Sequence, residues 1–402
     1  MRKSVILAAK RTPTGSFGGA LKDVSSVLLG KYAAKAALEE SGVDVADVDE
    51  LLMGQVLPAG QGQGVARQIA LGAGLPIGTP ASQINMVCGS GMKTVMQADI
   101  DIRAGEGDLY VAMGTESMSQ SPFLMPYQAR SGIKMGNIQF EDHMLKDALM
   151  DPFDVVHMGI TAENIAAKYN ISREAQDQFA ITSQERAIAA IDSGVFKDEI
   201  VPVETTVRRQ TVIVDTDEHP NRQTSLEKLA KLRPAFKKDG SVTAGNASGL
   251  NDGASAVVVA SDDYAKAKGL KPLVEIVAIG QGGVEPSLMG MGPVPAIKQA
   301  LERANMKLDD MDLIELNEAF AAQSLGVLTQ LSEDHGVSVD DLLKKTNIHG
   351  GAIALGHPLG ASGNRILVTL IHQMKKQKAT YGLASLCIGG GMGTCVIVKN
   401  IE

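Results

Sequence analysis

The chain has no tryptophan, only six tyrosines and eight phenylalanines, and three cysteines in 402 residues. Cys88, Cys387 and Cys395 are too few, and odd in number, for a disulfide framework. They are expected to be reduced thiols, open to chemistry. A basic excess is also missing. The net charge is −8, which excludes the positive stripe of a nucleic-acid binder. An anionic substrate must then be received by a local basic patch. No apolar run is long and glycine-free enough to span a bilayer. The opening MRKSVILAAKRTP reads as a buried strand rather than a signal peptide, so the expected location is cytoplasmic. His, Cys and carboxylate ligands do not cluster at metal-site spacing, and no metal is expected.

Glycine, with 43 residues, and methionine, with 18, are plentiful. Glycine marks tight turns and close backbone approaches. Methionine fills irregular cores and lines adaptable pockets.

Strands and helices alternate from the start, which predicts an α/β fold with a mostly parallel sheet. SVILAAK, LLMGQVL, SQINMVC and DLYVAMG read as strands. Between them, Ser25 or Ser26 caps a helix that stops at Gly42, VARQIALGAG is a short helix, and MKTVMQADIDIRAG is a helix closed by Gly105. From 117 to 249 the pattern changes to Met-rich loops, two amphipathic helices whose ends Ser172 and Gly194 suit, and short strands VETTV and QTVIVD. This reads as an inserted loop domain. The expected division is an N-terminal domain over 1–268, containing that insertion, and a C-terminal domain over 269–402. The flanks resemble each other: Ser90-Gly91 and Ser362-Gly363 each open a helix that leads to a strand, and each follows a reactive residue.

Cys88 is that residue in the first flank. Backbone N–H groups and the dipole at a helix start favour a thiolate, a nucleophile held at a fixed angle. A buried, inert cysteine is the plain alternative. His357, in a Gly-His-Pro turn, is its counterpart, and His349 reads as structural. Cys387 precedes three glycines whose open N–H groups suit an oxyanion hole. Asn317 and Glu318 lie at a strand end, where α/β sheets bind ligands; Asn317 could equally cap a helix. AGQGQGVARQ lacks the G-x-G-x-x-G spacing and is no dinucleotide loop.

Taken together, RTPTGSFGG, NMVCGSG, YVAMGTESMS, NASGLNDGA, NEAF, GGAIALGHPLGASG and CIGGGMG resemble the motif set of the thiolases, in order along the whole chain. The likeness is greatest to the short-chain, acetoacetyl-CoA-forming members. It implies a layered αβαβα fold of two duplicated halves with an inserted loop domain. It implies a ping-pong exchange between acetyl-CoA, acetoacetyl-CoA and CoA, with no cofactor beyond these thioesters, and a homo-oligomer, dimer or tetramer. It makes Cys88 the acetylated nucleophile and His357 its activator. Cys387 becomes the group that moves the substrate's methyl proton, and Asn317 the anchor of a water. The N–H groups of Cys88 and Gly389 become the oxyanion hole. Leu149, His157, Met158, Ser248, Ala319 and Phe320 become the tunnel for acyl group and pantetheine, and Arg222 a partner for the CoA phosphates. Three departures stand out: Asn221 where relatives carry arginine, His349 where many carry asparagine, and Gly64-Val65 in place of Asn-Pro. A longer-chain degradative thiolase, a ketoacyl synthase, and a non-catalytic acyl-CoA-binding protein on the same fold are the rival readings.

Overall fold

A computed structural model describes residues 2–401. The first half supplies β1 (Ser4–Arg11), β2 (Glu50–Gly54), β3 (Ala81–Ile84) and β4 (Leu109–Ser117), with helices α1 (Ser26–Ser41), α2 (Val65–Gly72) and α3 (Ser90–Ala104) between them. The caps are those the sequence announces. The Ser25 side chain accepts the Leu28 N–H, and Gly42 and Gly105 end their helices in the left-handed conformation.

An insertion follows β4. It contains α4 (Met158–Lys168), α5 (Arg173–Asp192) and the hairpin of β5 (Val203–Val207) and β6 (Gln210–Val214). The chain then returns to the sheet as β7 (Asn251–Ser261). The second half repeats the plan. Its strands are β8 (Val274–Gly283), β9 (Leu313–Leu316), β10 (Tyr381–Ile388) and β11 (Met392–Asn400). Its helices include α6 (Pro293–Ala304), α7 (Ala321–His335) and α8 (Leu359–Gln377).

Strand order shows the duplication. The first half runs β1-β7-β4-β2-β3 and the second β8-β11-β10-β9, continued by a parallel bridge from Ile314 to Thr346. β1 and β8 join the halves antiparallel, Ser4 opposite Ile276. The expected mostly parallel sheet is not found. Parallel pairing is confined to β2 with β3 and β4, and to β9 with β10. Each of those connections includes a crossover helix. β10 and β11 are instead linked by a tight Gly389–Gly391 turn, which permits only antiparallel pairing.

Alternation along the strands sorts side chains into layers. On one face Val5, Leu7, Val111 and Met113 pack with α1 and α2. On the other, Ile6, Tyr110 and Ala112 pack with Met92 and Val95 of α3 and Ile366, Leu367, Leu370 and Ile371 of α8. Cys395 and Ile397 of β11 face α6 and α7. The result is five layers, α-β-α-β-α, with α3 and α8 in the middle. Each fully buried Leu or Ile there contributes about 1.5–3 kcal/mol by leaving water.

Glycine governs the approach of the two central helices. A Cβ on Gly91 would stand 2.6 Å from the Gly360 carbonyl oxygen, and one on Gly363 2.6 Å from the Met92 nitrogen. Only glycine lets these backbones touch, and their contact draws Cys88 and His357 toward one place.

Three local expectations are corrected. SQINMVC is not a strand to its end: β3 stops at Ile84, because the Asn85 Oδ1 accepts the Val87 N–H and folds the chain into a turn. The second Ser-Gly pair lies inside α8, which begins three residues earlier at Leu359. α5 buries Ala180, Ile181, Ala187 and Ala190, but polar side chains go in with them. Its buried side includes Gln176, Asp177, Ser183 and Gln184, held by partners such as Asn246 and Glu318.

Candidate active site

One cavity of about 500 Å³ opens between the two halves and the insertion. Cys88, His357, Cys387 and Gly389 share its wall with Leu149, His157, Met158, Ser248, Ala319 and Phe320.

Cys88 sits two residues ahead of α3, and Gly89 is the cap. The turn that presents it is strained: Val87, a β-branched residue, has φ 46°. The Ser90 hydroxyl holds the turn, accepting the Met86 N–H at 2.9 Å and donating to the Val87 carbonyl at 2.6 Å. The backbone N–H groups of Gly389 and of Cys88 itself favour the charged form of the sulfur. These pull its pKa down, yet burial outweighs them and pushes the thiol up to about 11. The anion expected from position alone is therefore not the resting state; the resting group is a thiol.

His357 is buried, and burial, with the Arg365 charge second, drives its pKa down to about 3. It rests as a neutral imidazole, and its Ser362 contacts favour one tautomer. The single Ser362 hydroxyl hydrogen goes to the Pro358 carbonyl at 2.9 Å. Ser362 Oγ can then only accept from His357 Nδ1, 2.5 Å away. Nδ1 carries the proton and Nε2 is bare. Nε2 has no protein partner, and His357 lines the cavity. A bare ring nitrogen in that position is a base.

Cys387 closes β10 and is buried; burial raises its thiol, and the neighbouring Cys88 raises it further. Asn317 follows β9 directly, fully buried, with neither side-chain atom bonded to protein. It is not among the residues that line the cavity.

The insertion builds the remaining wall. The His157 Nδ1 accepts the Gly159 N–H and caps α4, and its ring stacks on Phe236 at 4.5 Å. Ser248 donates its N–H to the Ala319 carbonyl, tying the insertion to the second half. Arg222 is not brought to the cavity. It is exposed and pairs with Asp192, leaving Asn221 and Lys228 to line a neighbouring pocket that shares Ala244 with the cavity.

Three contributors escape the sequence reading. Glu116 is buried, with its pKa raised to about 7 by burial, and accepts N–H groups from Val56, Leu57 and Gly360. It thereby clamps a loop of the first half to the start of α8. Asn251 accepts the His357 N–H and donates to the Gly15 carbonyl. Ser362 fixes the His357 tautomer. Each lies inside a motif quoted above. The signal available was a polar residue within an otherwise apolar or glycine-rich run.

This geometry brings a thiol, a neutral imidazole, a second thiol and backbone N–H groups around one apolar space. Comparison with known proteins agrees with it. A thiolase N-terminal domain model matches residues 4–263, and a thiolase C-terminal domain model matches 270–400.

The chain belongs to the thiolase family.

Among relatives of this thiolase, an acetyl-CoA acetyltransferase of Pseudomonas aeruginosa is 51% identical over 401 residues, covering 100% of both chains. The structure of acetyl-CoA acetyltransferase from Syntrophomonas wolfei superposes with a TM-score of 0.96 at 42% identity, covering 100% of both chains. Human mitochondrial 3-ketoacyl-CoA thiolase in complex with CoA gives 0.93 at 44% identity, covering 100% of this thiolase and 98% of that chain.

Proposed function

We propose that the protein is an acetyl-CoA C-acetyltransferase. It condenses two acetyl-CoA reversibly to acetoacetyl-CoA and CoA through an acetyl group carried on Cys88. The observation that carries this reading is the meeting of Cys88, His357 and Cys387 on one cavity wall beside the Gly389 N–H.

Condensing two thioesters requires an acyl acceptor and a carbanion at one centre, and an acyl-enzyme divides the task. The Cys88 sulfur attacks the first thioester as its proton passes to His357 Nε2. The oxyanion forms against the Cys88 and Gly389 N–H groups, each such donor contributing about 2.7–4 kcal/mol. The departing CoA sulfur takes the Cys387 proton. The Cys387 thiolate then removes a methyl proton from the second acetyl-CoA. The His357 Nε2–H and a water held by Asn317 steady the enolate oxygen. The enolate attacks acetyl-Cys88, and His357 returns its proton to the freed sulfur. Protons balance over the cycle, and apart from that water the thioesters and CoA are the only small molecules it uses.

His157, Met158, Ser248, Ala319 and Phe320 suit the pantetheine arm, an apolar tunnel with a few polar groups. Self-association is supported by the exposed β3 edge and by Phe123, Tyr127, Met135 and Phe140, all exposed on the insertion. A homotetramer or dimer fits both surfaces. A cytoplasmic location suits three free thiols. Among the described residues no helix is long and apolar enough to cross a membrane.

The test is thiolysis of acetoacetyl-CoA by CoA. The unmodified protein is expected to be active, and Cys88→Ala to lose about ten-thousandfold or more. Substantial turnover by Cys88→Ala would remove the nucleophile assignment.

A further inference from the structure

In the proposed function, on which this inference rests, Asn317 holds the water beside the enolate oxygen. Its side chain is fully buried, and among the described residues neither its Oδ1 nor its Nδ2 has a hydrogen-bond partner. No contact at the amide aims it. Its direction comes from the backbone on either side.

That backbone is gripped at both neighbours. Before Asn317, the Asn347 amide clasps Leu316: its Oδ1 accepts the Leu316 N–H at 2.9 Å, and its Nδ2 donates to the Leu316 carbonyl at 2.7 Å. After Asn317, the buried Glu318 carboxylate meets three donors. Its Oε1 accepts from Asn347 Nδ2 at 2.8 Å. Its Oε2 accepts from the Ser183 hydroxyl at 2.6 Å and from the Ile353 N–H at 3.2 Å. Ser183 lies on α5 of the insertion, and Asn347 and Ile353 lie on the segment that leads to His357. The fit leaves no slack. A Cβ on Gly351 would stand 2.3 Å from the Glu318 carboxyl carbon, and the Gly351 N–H goes to Ser183 Oγ at 3.0 Å.

The donor set calls for a carboxylate. Asn347 cannot turn its amide over without losing both bonds to Leu316. A glutamine at 318 would therefore set its own N–H against Asn347 or against Ile353, leaving a buried donor unpaired. His357 does not depend on this carboxylate in the same way. Asn251 accepts its N–H, and Ser362 contacts its ring.

We propose that Glu318 is the positioning residue for Asn317. It touches no substrate. It sets where Asn317 holds its water against the His357 ring, and so acts on the steps that pass through the enolate.

Two rates test this. Thiolysis of acetoacetyl-CoA passes through the enolate; exchange of labelled CoA into acetyl-CoA passes only through acetyl-Cys88. A misplacement of about 1 Å can cost about 100-fold in rate. Glu318→Gln is expected to lower kcat for thiolysis about tenfold or more, with a smaller change in KM and a smaller loss of exchange. Ser183→Ala removes one donor and keeps the charge, and is expected to act in the same direction but less. The deciding measurement repeats Glu318→Gln in an Asn317→Ala background, where thiolysis is expected to fall no further than about twofold. Thermal melts show which variants fold, and Ser183→Ala in the same background carries the test if Glu318→Gln does not. Losses that multiply in the double variant, equal losses of thiolysis and exchange, or unchanged thiolysis in Glu318→Gln would overturn the assignment. Absence of acetoacetyl-CoA thiolysis in the unmodified protein would instead remove the functional reading beneath it.

Discussion

The two halves place a reactive residue at the same point, two residues before a central helix, and secure it with a serine at different depths. In the first half Ser90 is the first residue of α3, and its hydroxyl clasps the backbone turn around Val87 that presents Cys88. In the second half Ser362 lies one turn inside α8, and its hydroxyl clasps both the Pro358 carbonyl and the His357 ring. The first serine positions a backbone; the second also chooses a tautomer. On the proposed function, a duplicated fold gives its copies unequal chemistry, nucleophile against base, by a shift of about one helical turn.

The strongest way to break the comparison is to part the helices. Gly91→Ala and Gly363→Ala each set a methyl against backbone atoms 2.6 Å away, which neither side chain nor rotamer can relieve. Each is expected to destabilise the protein by about 1–3 kcal/mol or more and to remove activity. Urea unfolding with parallel thiolysis assays measures both. Full activity in either variant would mean that close helix contact does not assemble the site.

Acid sharpens it next. Folded His357 takes a proton only near pH 3, whereas an unfolded imidazole does so near 6.5. Between those values the unfolded chain binds more protons, so stability falls as pH falls. Glu116, raised from 4.5 to about 7, works the other way between those two values, the folded chain holding the extra proton. Comparing His357→Asn with the parent isolates the histidine. From pH 7 to 5 the variant is expected to lose about 2 kcal/mol less stability. Parallel stability curves would contradict a buried neutral ring.

The serines give the smallest effect. Ser90→Ala is expected to cost about 1 kcal/mol of stability, the worth of one hydrogen bond. Ser362→Ala should cost a similar amount of stability but a larger share of kcat, because the wrong tautomer leaves no base at Nε2. Equal kcat losses in the two variants would erase the distinction drawn between them.

Much of this was readable in the sequence, and the limits have physical causes. Caps such as Ser25, Gly42, Gly105 and Ser172 were legible because helix ends depend on local groups. Ten of the residues expected at the site share one cavity, because motifs mark the turns where chemistry is held. Sheet direction was not legible: it depends on which strands meet after a long insertion. Arg11 was not legible either. It is buried against Glu199 and Asp217, more than 180 residues away, and no local pattern announces such a pair. Arg222 was expected at the CoA phosphates, and its partner Asp192 lies on a helix that only the fold brings near. The resting charge of Cys88 depends on burial, which a helix-start motif does not reveal.

The most direct test of the central claim uses the Cys387→Ala variant. On the proposed mechanism it retains the nucleophile, the base and the N–H pair but lacks the group that moves the methyl proton. Exposed to acetyl-CoA alone and digested for peptide mass spectrometry, it is expected to carry one acetyl group, on Cys88, and to form little acetoacetyl-CoA. An unmodified Cys88, or an acetyl group lodged on another residue, would contradict the account.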